Sequence, residues 1–444
     1  MGPERQYVLG PRERKGSVAG WRVGQVVTTG VGCAAAMLSV VTLPSATGFV
    51  VAVACVVTAL SAATIPWRGR TIEEWIPVIV FFCLHRGVGE IASFSIRAGD
   101  KLGIQEAVGV IVEKPGALSV VLIIESTGIA LLSPDEKDYR IDGFIDALSA
   151  MAREGSAVDR ASWTMWTQSN DAQELFRDFR IRGDHGSGVA QVAYRSLLEE
   201  LTERGVTRRV ALTLRLSAPR KRGSMTIQKL VDEAMATVQS LEESGHQSVR
   251  CATASELRSM FASFGELDIT DLEDSVDVAV SGNRCFGYLD REGALIASWW
   301  ITEWPRHGVN AEVLAPLMLG DPRRLVSVVA QPVAPSTALR KAQSAKTTSA
   351  ADDELRRRGG FLSDRRRERE ADHLVAREAE LVDGHGSLRI SGFVTVIAEN
   401  EASLAALVIE TQLVASQAHL VLQRLQGDHG RGFMATLPLG VGLP

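Results

Sequence analysis

The stretch "VGQVVTTGVGCAAAMLSVVTLPSATGFVVAVACVVTALSAATIPW" occupies residues 23–67 and contains no charged side chain. A helix that crosses a lipid bilayer needs about 20 apolar residues. The stretch is long enough for two such helices, which we expect at 24–43 and 48–66, with Leu43-Pro44-Ser45 in the turn between them. Glycine and alanine are frequent in both, and small residues let helices approach closely in lipid. The sequence therefore predicts a transmembrane helical hairpin over 23–67.

The charges on either side of the hairpin predict its orientation. Cationic residues stay on the cytoplasmic side of a membrane. They both precede and follow the hairpin, whereas the turn carries no charge: Arg5, Arg12, Arg14, Lys15 and Arg22 before it, Arg68, Arg70 and Arg86 after it. We therefore expect a plasma-membrane protein with a cytoplasmic segment 1–22 and both termini in the cytoplasm. A signal peptide or a buried core hairpin is the alternative.

A second apolar stretch follows the hairpin. "TIEEWIPVIVFFCLHR" (71–86) is too short to span a bilayer and contains Pro77. Thr71 can cap a helix, and Glu73 and Glu74 then lie in its first turn, where the helix dipole favours acidic groups. We expect an elbow helix within 68–90 that lies on the inner membrane surface. An ordinary buried helix fits the same residues.

The rest of the chain alternates between strand and helix patterns. A hairpin pattern at 108–125 precedes a helix that Ser133-Pro134-Asp135-Glu136 starts with a capping box, and strands and helices continue to the end. This order predicts an α+β protein in which two ferredoxin-like α/β domains follow the transmembrane hairpin. We place the domains at 91–251 and 284–444, with a polar linker at 252–283.

Charge and composition limit the function. The net charge of −5 and the pI near 6.0 are unlike those of a general nucleic-acid binder. A charged stretch at 336–382 contains two arginine triplets, but residues 352–372 hold as many acidic residues as arginines. Such balance predicts solvated, salt-bridged helices. We take two groups as candidate partner contacts: Arg356, Arg357, Arg358, Arg365, Arg366 and Arg367 in the charged stretch, and Trp299, Trp300 and Trp304 in a predicted strand.

The tetrapeptide Gly-Asp-His-Gly occurs twice, at 183–186 and 427–430. We expect both copies to be turns, the second within a β-hairpin, because neither has a second histidine or a nucleophilic serine elbow nearby. A metal or acid–base role is the alternative. The chain has no Gly-Lys dipeptide for a phosphate-binding loop, and its five cysteines show no metal-ligand spacing. We expect a protein that is not an enzyme and has no cofactor, metal or catalytic residue.

Several blocks resemble an actinobacterial family of integral membrane proteins encoded with conjugative, type IV secretion-like machinery. They are "YVLGPRERKG", "RGRTIEEWIPV", "GIALLSPDEKDYRIDGF", "MAREGSAVDRASW", "STALRKAQSAKTTSAADDELRRRGGFL" and "TLPLG". The hairpin is similar to PrgI-type membrane subunits. The part from Ser336 onward is similar to the N-terminal domain of conjugation assembly ATPases, without the motor. The two spans followed by "RGRTIEEW" are more weakly similar to EccE of type VII secretion.

The resemblance implies a membrane-anchored scaffold subunit of a type IV secretion-like translocation complex. It implies a separate ATPase and channel subunits as partners, with a second copy of the chain as a further possible partner. An EccE-like subunit of a type VII complex is one alternative. The others are a membrane-tethered enzyme and a protein that docks DNA through the arginine triplets, although no direct contact with nucleic acid is expected.

Overall fold

Two apolar helices begin the part of the chain that the structure describes. The structure is a computed structural model and describes residues 23–42, 46–64, 71–104, 107–113, 116–125, 132–169, 192–193, 196, 206–217, 224–264, 267–272, 275–305, 313–320, 324–333, 335–340, 343–344, 347 and 387–442. Helices α1 (Val23–Thr42) and α2 (Ala46–Thr64) are both long and apolar enough to cross a membrane. The predicted pair of apolar helices is confirmed.

The two helices pack closely through small residues. A methyl group at Gly32 would overlap the Cβ of Ala59, so the helices can approach at this point only because Gly32 has no side chain. At the end of the pair where α1 begins and α2 ends, the Gln25 side-chain amide donates to the carbonyl oxygen of Ala63 at 2.9 Å. This bond pairs a carbonyl in the last turn of α2, where no further helical turn supplies a donor.

Helix α3 (Ile72–His85) follows at the place where the elbow helix was expected. The backbone N–H of Thr71 donates to the Glu74 carboxylate at 3.3 Å, as in a capping box. The strand that follows begins two residues after the helix ends.

Thirteen strands of the described residues form one antiparallel sheet. Their bounds are β1 Gly87–Ala98, β2 Gly109–Glu113, β3 Leu118–Ile124, β4 Arg160–Ser169, β5 Val206–Leu216, β6 Val249–Cys251, β7 Asp268–Asp271, β8 Val276–Arg284, β9 Leu289–Arg291, β10 Ala294–Glu303, β11 Arg324–Val333, β12 Ser387–Ala398 and β13 Val421–Arg424. Ten of them close into a barrel in the order β1-β2-β3-β5-β4-β11-β12-β10-β9-β8, because β8 pairs again with β1.

The prediction of two ferredoxin-like domains was wrong. The predicted strands and helices mostly exist, but the pairs β1–β8 and β4–β11 join the two halves of the chain into one barrel. An open sheet leaves unpaired edge strands, and closure removes them. Residues 252–283, which we expected to be a linker with one short helix, contain that helix and also strands β7 and β8, and β8 is a barrel strand.

Further helices lie on both sides of the barrel wall. They are α4 Pro134–Ala150, α5 Ser224–Glu243, α6 Ala254–Ser263, α7 Ala315–Leu319, α8 Glu401–Gln417 and α9 His429–Thr436. Helices α6 and α9 fill the interior, where the rings of Phe261 and Phe433 are buried among inward residues of the strands. Helices α4 and α5 cover the outer surface of the first half, and α7 and α8 cover that of the second.

The two halves of the barrel repeat the same topology. The first contributes its strands in the order β1-β2-β3-β5-β4 and the second in the order β8-β9-β10-β12-β11. Strand β6 adds to β3 and is followed by α6, as β13 adds to β10 and is followed by α9. Even single bonds correspond, since Ala252 N donates to Val121 O at 2.8 Å and Leu425 N to Ser298 O at 2.9 Å. The barrel is therefore an internal structural duplication.

Candidate functional site

Helix α3 joins the apolar helices to the barrel. It contacts both α1 and α2. Its other contacts are aromatic: the rings of Trp75 and Phe82 lie 5.9 and 5.5 Å from the ring of Phe286, in the connection between β8 and β9. Trp75 is buried by this packing, and pairs of this geometry contribute about 0.5–1.5 kcal/mol beyond area burial. The barrel is thus connected to the two apolar helices by the packing of α3 as well as by the chain itself.

The opposite surface of α3 is apolar and exposed. We define the α3 outer face as Ile76, Ile79, Val80, Cys83 and Leu84, all of which are exposed. Their spacing of three and four residues places them on one side of the helix. An apolar helical face that neither the barrel nor the other helices cover is typical of a surface that contacts lipid or another protein.

A cavity of about 310 Å³ lies beside α3. It is lined by α3, β1, the end of β8, β9 and the first turn of α9. We call it the junction cavity. The Arg284 guanidinium, on its wall, donates to the carbonyl oxygens of His85 and Glu90 at 3.4 and 3.2 Å. On the other wall, the Arg431 guanidinium lies 4.5 Å from the centre of the Phe81 ring and 3.6 Å from the Asp428 carboxylate.

These contacts fasten the two ends of the cavity to α3. Arg284 connects the end of α3 to β1, while Arg431 places a cation on an aromatic ring of α3. The lining holds both arginine and carboxylate side chains. The polar contacts around the junction cavity therefore connect α3 with β1 and with the first turn of α9.

The second Gly-Asp-His-Gly copy lies in this wall. Gly427 has a positive φ of 74°, which suits the predicted turn, but the turn leads into α9 and not into a β-hairpin, so that part of the prediction was wrong. His429 is buried, and its Nδ1 accepts a hydrogen bond from Ser298 N at 3.1 Å. Burial, helped by the nearby Arg424, lowers the pKa of His429 to about 3. The imidazole is therefore neutral near pH 7. The first copy lies outside the described residues.

Of the predicted contact residues, the structure describes the three tryptophans. Trp299 is 0% exposed and packs under α8, with the Arg424 guanidinium 5.8 Å from its ring centre, so it is a core residue and not a contact residue. Trp300 and Trp304 are half-buried. The six arginines Arg356, Arg357, Arg358, Arg365, Arg366 and Arg367 lie outside the described residues.

Reasoning from the sequence missed the aromatic joint at Phe286 and the arginine bonds beside it. "CFGYLD" has the pattern of the start of a strand. No local pattern indicates that Phe286 packs against a helix that lies about 200 residues earlier in the chain. Among the described residues, no group of three or more histidine, cysteine, aspartate or glutamate side chains could hold a metal ion. A comparison with models of known protein families finds no match, and neither does a comparison with curated proteins.

Proposed function

We propose that this protein is a membrane-anchored scaffold subunit of a type IV secretion-like translocation complex, and that it docks a separate ATPase. The observation that carries the proposal is the position of α3, which packs against both apolar helices and, through Trp75 and Phe82, against Phe286 of the barrel. Such a joint holds the barrel at a defined place relative to the membrane. A subunit that positions a motor at a channel needs this property.

The distribution of charge supports the orientation in this proposal. Basic residues flank the apolar hairpin on both sides, which favours a plasma-membrane protein with both termini, and with them the barrel, in the cytoplasm. The α3 outer face then lies beside the inner membrane surface, because α3 begins eight residues after α2 ends. Apolar side chains at this depth contact the boundary between headgroups and acyl chains.

The filled interior of the barrel supports the role of a scaffold subunit. Barrels that bind small molecules keep an interior cavity for the ligand. Here α6 and α9 occupy the interior, and their side chains pack with residues of nearly every barrel strand. The binding surfaces of such a barrel are on its outside.

The contact with the ATPase is proposed for the charged stretch 336–382. Its resemblance to the N-terminal domain of conjugation assembly ATPases supports an arrangement in which it extends or mimics that domain beside the motor. The two arginine triplets within it are candidates for pairing with acidic surfaces of the partner.

Extraction of the tagged full-length protein in a mild detergent, followed by mass spectrometry, tests the proposal. We expect an assembly ATPase and polytopic channel proteins to co-purify. A variant with glutamine at Arg356, Arg357, Arg358, Arg365, Arg366 and Arg367 should lose the ATPase and keep its membrane insertion. The matched control replaces three exposed arginines outside the stretch, Arg97, Arg153 and Arg389, by glutamine and should keep the ATPase.

Each other result has a definite meaning. Recovery of the protein alone from native membranes contradicts the scaffold proposal. Recovery of type VII secretion components favours the EccE-like alternative. Unchanged ATPase recovery with the six-glutamine variant rejects the arginine triplets as the contact while leaving the scaffold role intact.

A further inference from the structure

Helix α8 has an exposed surface whose centre carries no charge; the exposed Glu401 and the half-exposed Glu410 lie at its margins. Its inner side is buried against β10 and β12 through Leu404, Leu407 and neighbouring residues. We define the α8 outer face as its exposed residues on the other side: Ala402, Ala405, Ala406, Ile409, Gln412, Leu413 and Ser416. Ile409 and Leu413 are 68% and 57% exposed. Neighbouring exposed isoleucine and leucine side chains on a helix are typical of a surface that contacts a partner.

The duplication provides an internal comparison for this surface. Helix α5 joins β5 to β6 as α8 joins β12 to β13, so the two helices occupy corresponding places in the two halves. The exposed side of α5 is polar, with Lys229, Asp232, Gln239, Glu242 and Glu243 among its residues. The fold at this position is therefore compatible with a solvated helix. The exposed apolar side chains of α8 are therefore a property of the second half and not a requirement of the fold at this position.

We propose that the α8 outer face pairs with α8 of a second copy of this chain, in antiparallel orientation. The order of side chains along the face carries this assignment. Small residues occupy its first half and large ones its second half. In an antiparallel pair centred between residues 407 and 408, Ala402 meets Leu413, and Ala406 meets Ile409.

Such a pair satisfies the requirements of a twofold interface. The same surface serves both copies, and each large side chain lies opposite a small one. The dipoles of the two helices also run in opposite directions, which is the favourable arrangement. The same register sets Ala405 opposite Glu410, which lies at the margin of the face with its carboxylate bonded to Arg324, and none of the residues that define the α8 outer face is charged.

The size of the contact predicts where the pair forms. Specific interfaces bury about 800 Å² on each partner, and one pair of helices provides less than that. Two copies in one membrane, however, are held at a high effective concentration by their anchors. We therefore expect the pair in native membranes, and this expectation does not depend on which secretion system the protein serves.

Disulfide cross-linking of the full-length protein in native membranes tests the pairing. The background is a variant in which alanine replaces the five native cysteines, Cys33, Cys55, Cys83, Cys251 and Cys285. Two differently tagged chains, one with Ala402→Cys and one with Leu413→Cys, are co-expressed and oxidised. We expect a disulfide between the two tags. Two Ala402→Cys chains should not link, nor should two Leu413→Cys chains, because like positions then lie about 16 Å apart along the helix axis.

A third substitution separates a specific pair from random collision. Ile409→Glu would bury an unpaired charge in the pair and should reduce the cross-link by about tenfold or more. Met235→Glu, at an exposed position on α5, is the matched control and should leave the cross-link unchanged. The proposal is overturned if the 402–413 link does not form in membranes, if 402 links to 402, or if Ile409→Glu leaves the link unchanged.

Discussion

Thr164 and Ser327 lie opposite each other where β4 pairs with β11, and the Thr164 hydroxyl donates to the Ser327 hydroxyl at 3.3 Å. Both side chains are fully buried. They occupy corresponding positions in the two halves, in the middle of the contact that joins one half to the other. The hydrogen bond therefore links two equivalent strands across the axis of the duplication.

This bond predicts a non-additive pair of substitutions. Thr164→Val alone leaves the Ser327 hydroxyl buried without its partner and should lower the free energy of unfolding by about 1–3 kcal/mol. The double variant with Ser327→Ala removes both polar groups and should be more stable than Thr164→Val alone. Thermal unfolding of the detergent-solubilised protein measures both. Additive losses would show that the bond contributes nothing across the contact.

The contact of α1 with α2 predicts opposite effects for two neighbouring glycines. Gly32→Ala places a methyl group against Ala59 and should push the helices apart, which lowers thermal stability in detergent. Gly30→Ala meets no atom within 4 Å and should be neutral or slightly stabilising, since alanine favours a helix more than glycine does. Equal melting temperatures for the two variants would contradict the close contact at Gly32.

The buried His429 predicts a loss of stability in weak acid. Its pKa is about 3 in the folded protein against an ordinary 6.5, so the unfolded chain binds a proton between these values that the folded chain does not. Stability is complete above pH 6.5 and is lost as the pH falls below it, by up to about 1.4 kcal/mol per pH unit.

A substitution isolates this contribution. His429→Asn keeps an acceptor for Ser298 N and cannot titrate, so the melting temperature should depend less on pH between 7 and 5 than in the wild type. Some dependence should remain, because burial also lowers the pKa of His246. An unchanged pH dependence would show that His429 does not cause the loss.

Two arginines that donate to carbonyl oxygens of α7 predict unequal losses of stability. Arg324 is 1% exposed and donates to Leu317 O and to the Glu410 carboxylate, both at 3.1 Å. Arg324→Met should cost about 3 kcal/mol, because charge-assisted bonds contribute about 1.5–3 kcal/mol each and Glu410 is half-exposed. The exposed Arg208 donates to two carbonyls at the same helix end, and Arg208→Met should cost less than about 1 kcal/mol. Chemical unfolding compares the two variants.

The α3 outer face predicts contact with lipid. A fluorescent label on Cys83, in a background without the other four cysteines, should be quenched by brominated lipids when the protein is in vesicles. A label on Met235→Cys, in a cysteine-free background, lies on the exposed surface of α5 and should not be quenched. Equal quenching at the two positions would place the α3 outer face away from the bilayer.

Local features of the sequence were enough to predict individual elements. Ser133 caps α4 by accepting a bond from Glu136 N at 3.3 Å, as the capping box in "SPDE" indicates. Strand β11 lies at "RLVSVVAQPV", whose apolar and β-branched residues favour a strand, and α8 begins at Glu401, directly after its cap Asn400. These features depend on residues only a few positions apart, so hydrophobic spacing and caps reveal them.

By itself, the sequence determined the apolar hairpin, the start of α3 and the type of most later elements, because lipid spans and helix caps are properties of short segments. Only the tertiary structure decided that the two halves close into one barrel, that Trp299 is buried and that α3 packs against Phe286. Those outcomes depend on pairs such as β1 with β8, whose partners are almost 200 residues apart and leave no local pattern. Closure gives hydrogen-bond partners to the backbone N–H and C=O groups of the edge strands of both halves. This gain exists only when all ten strands are in place.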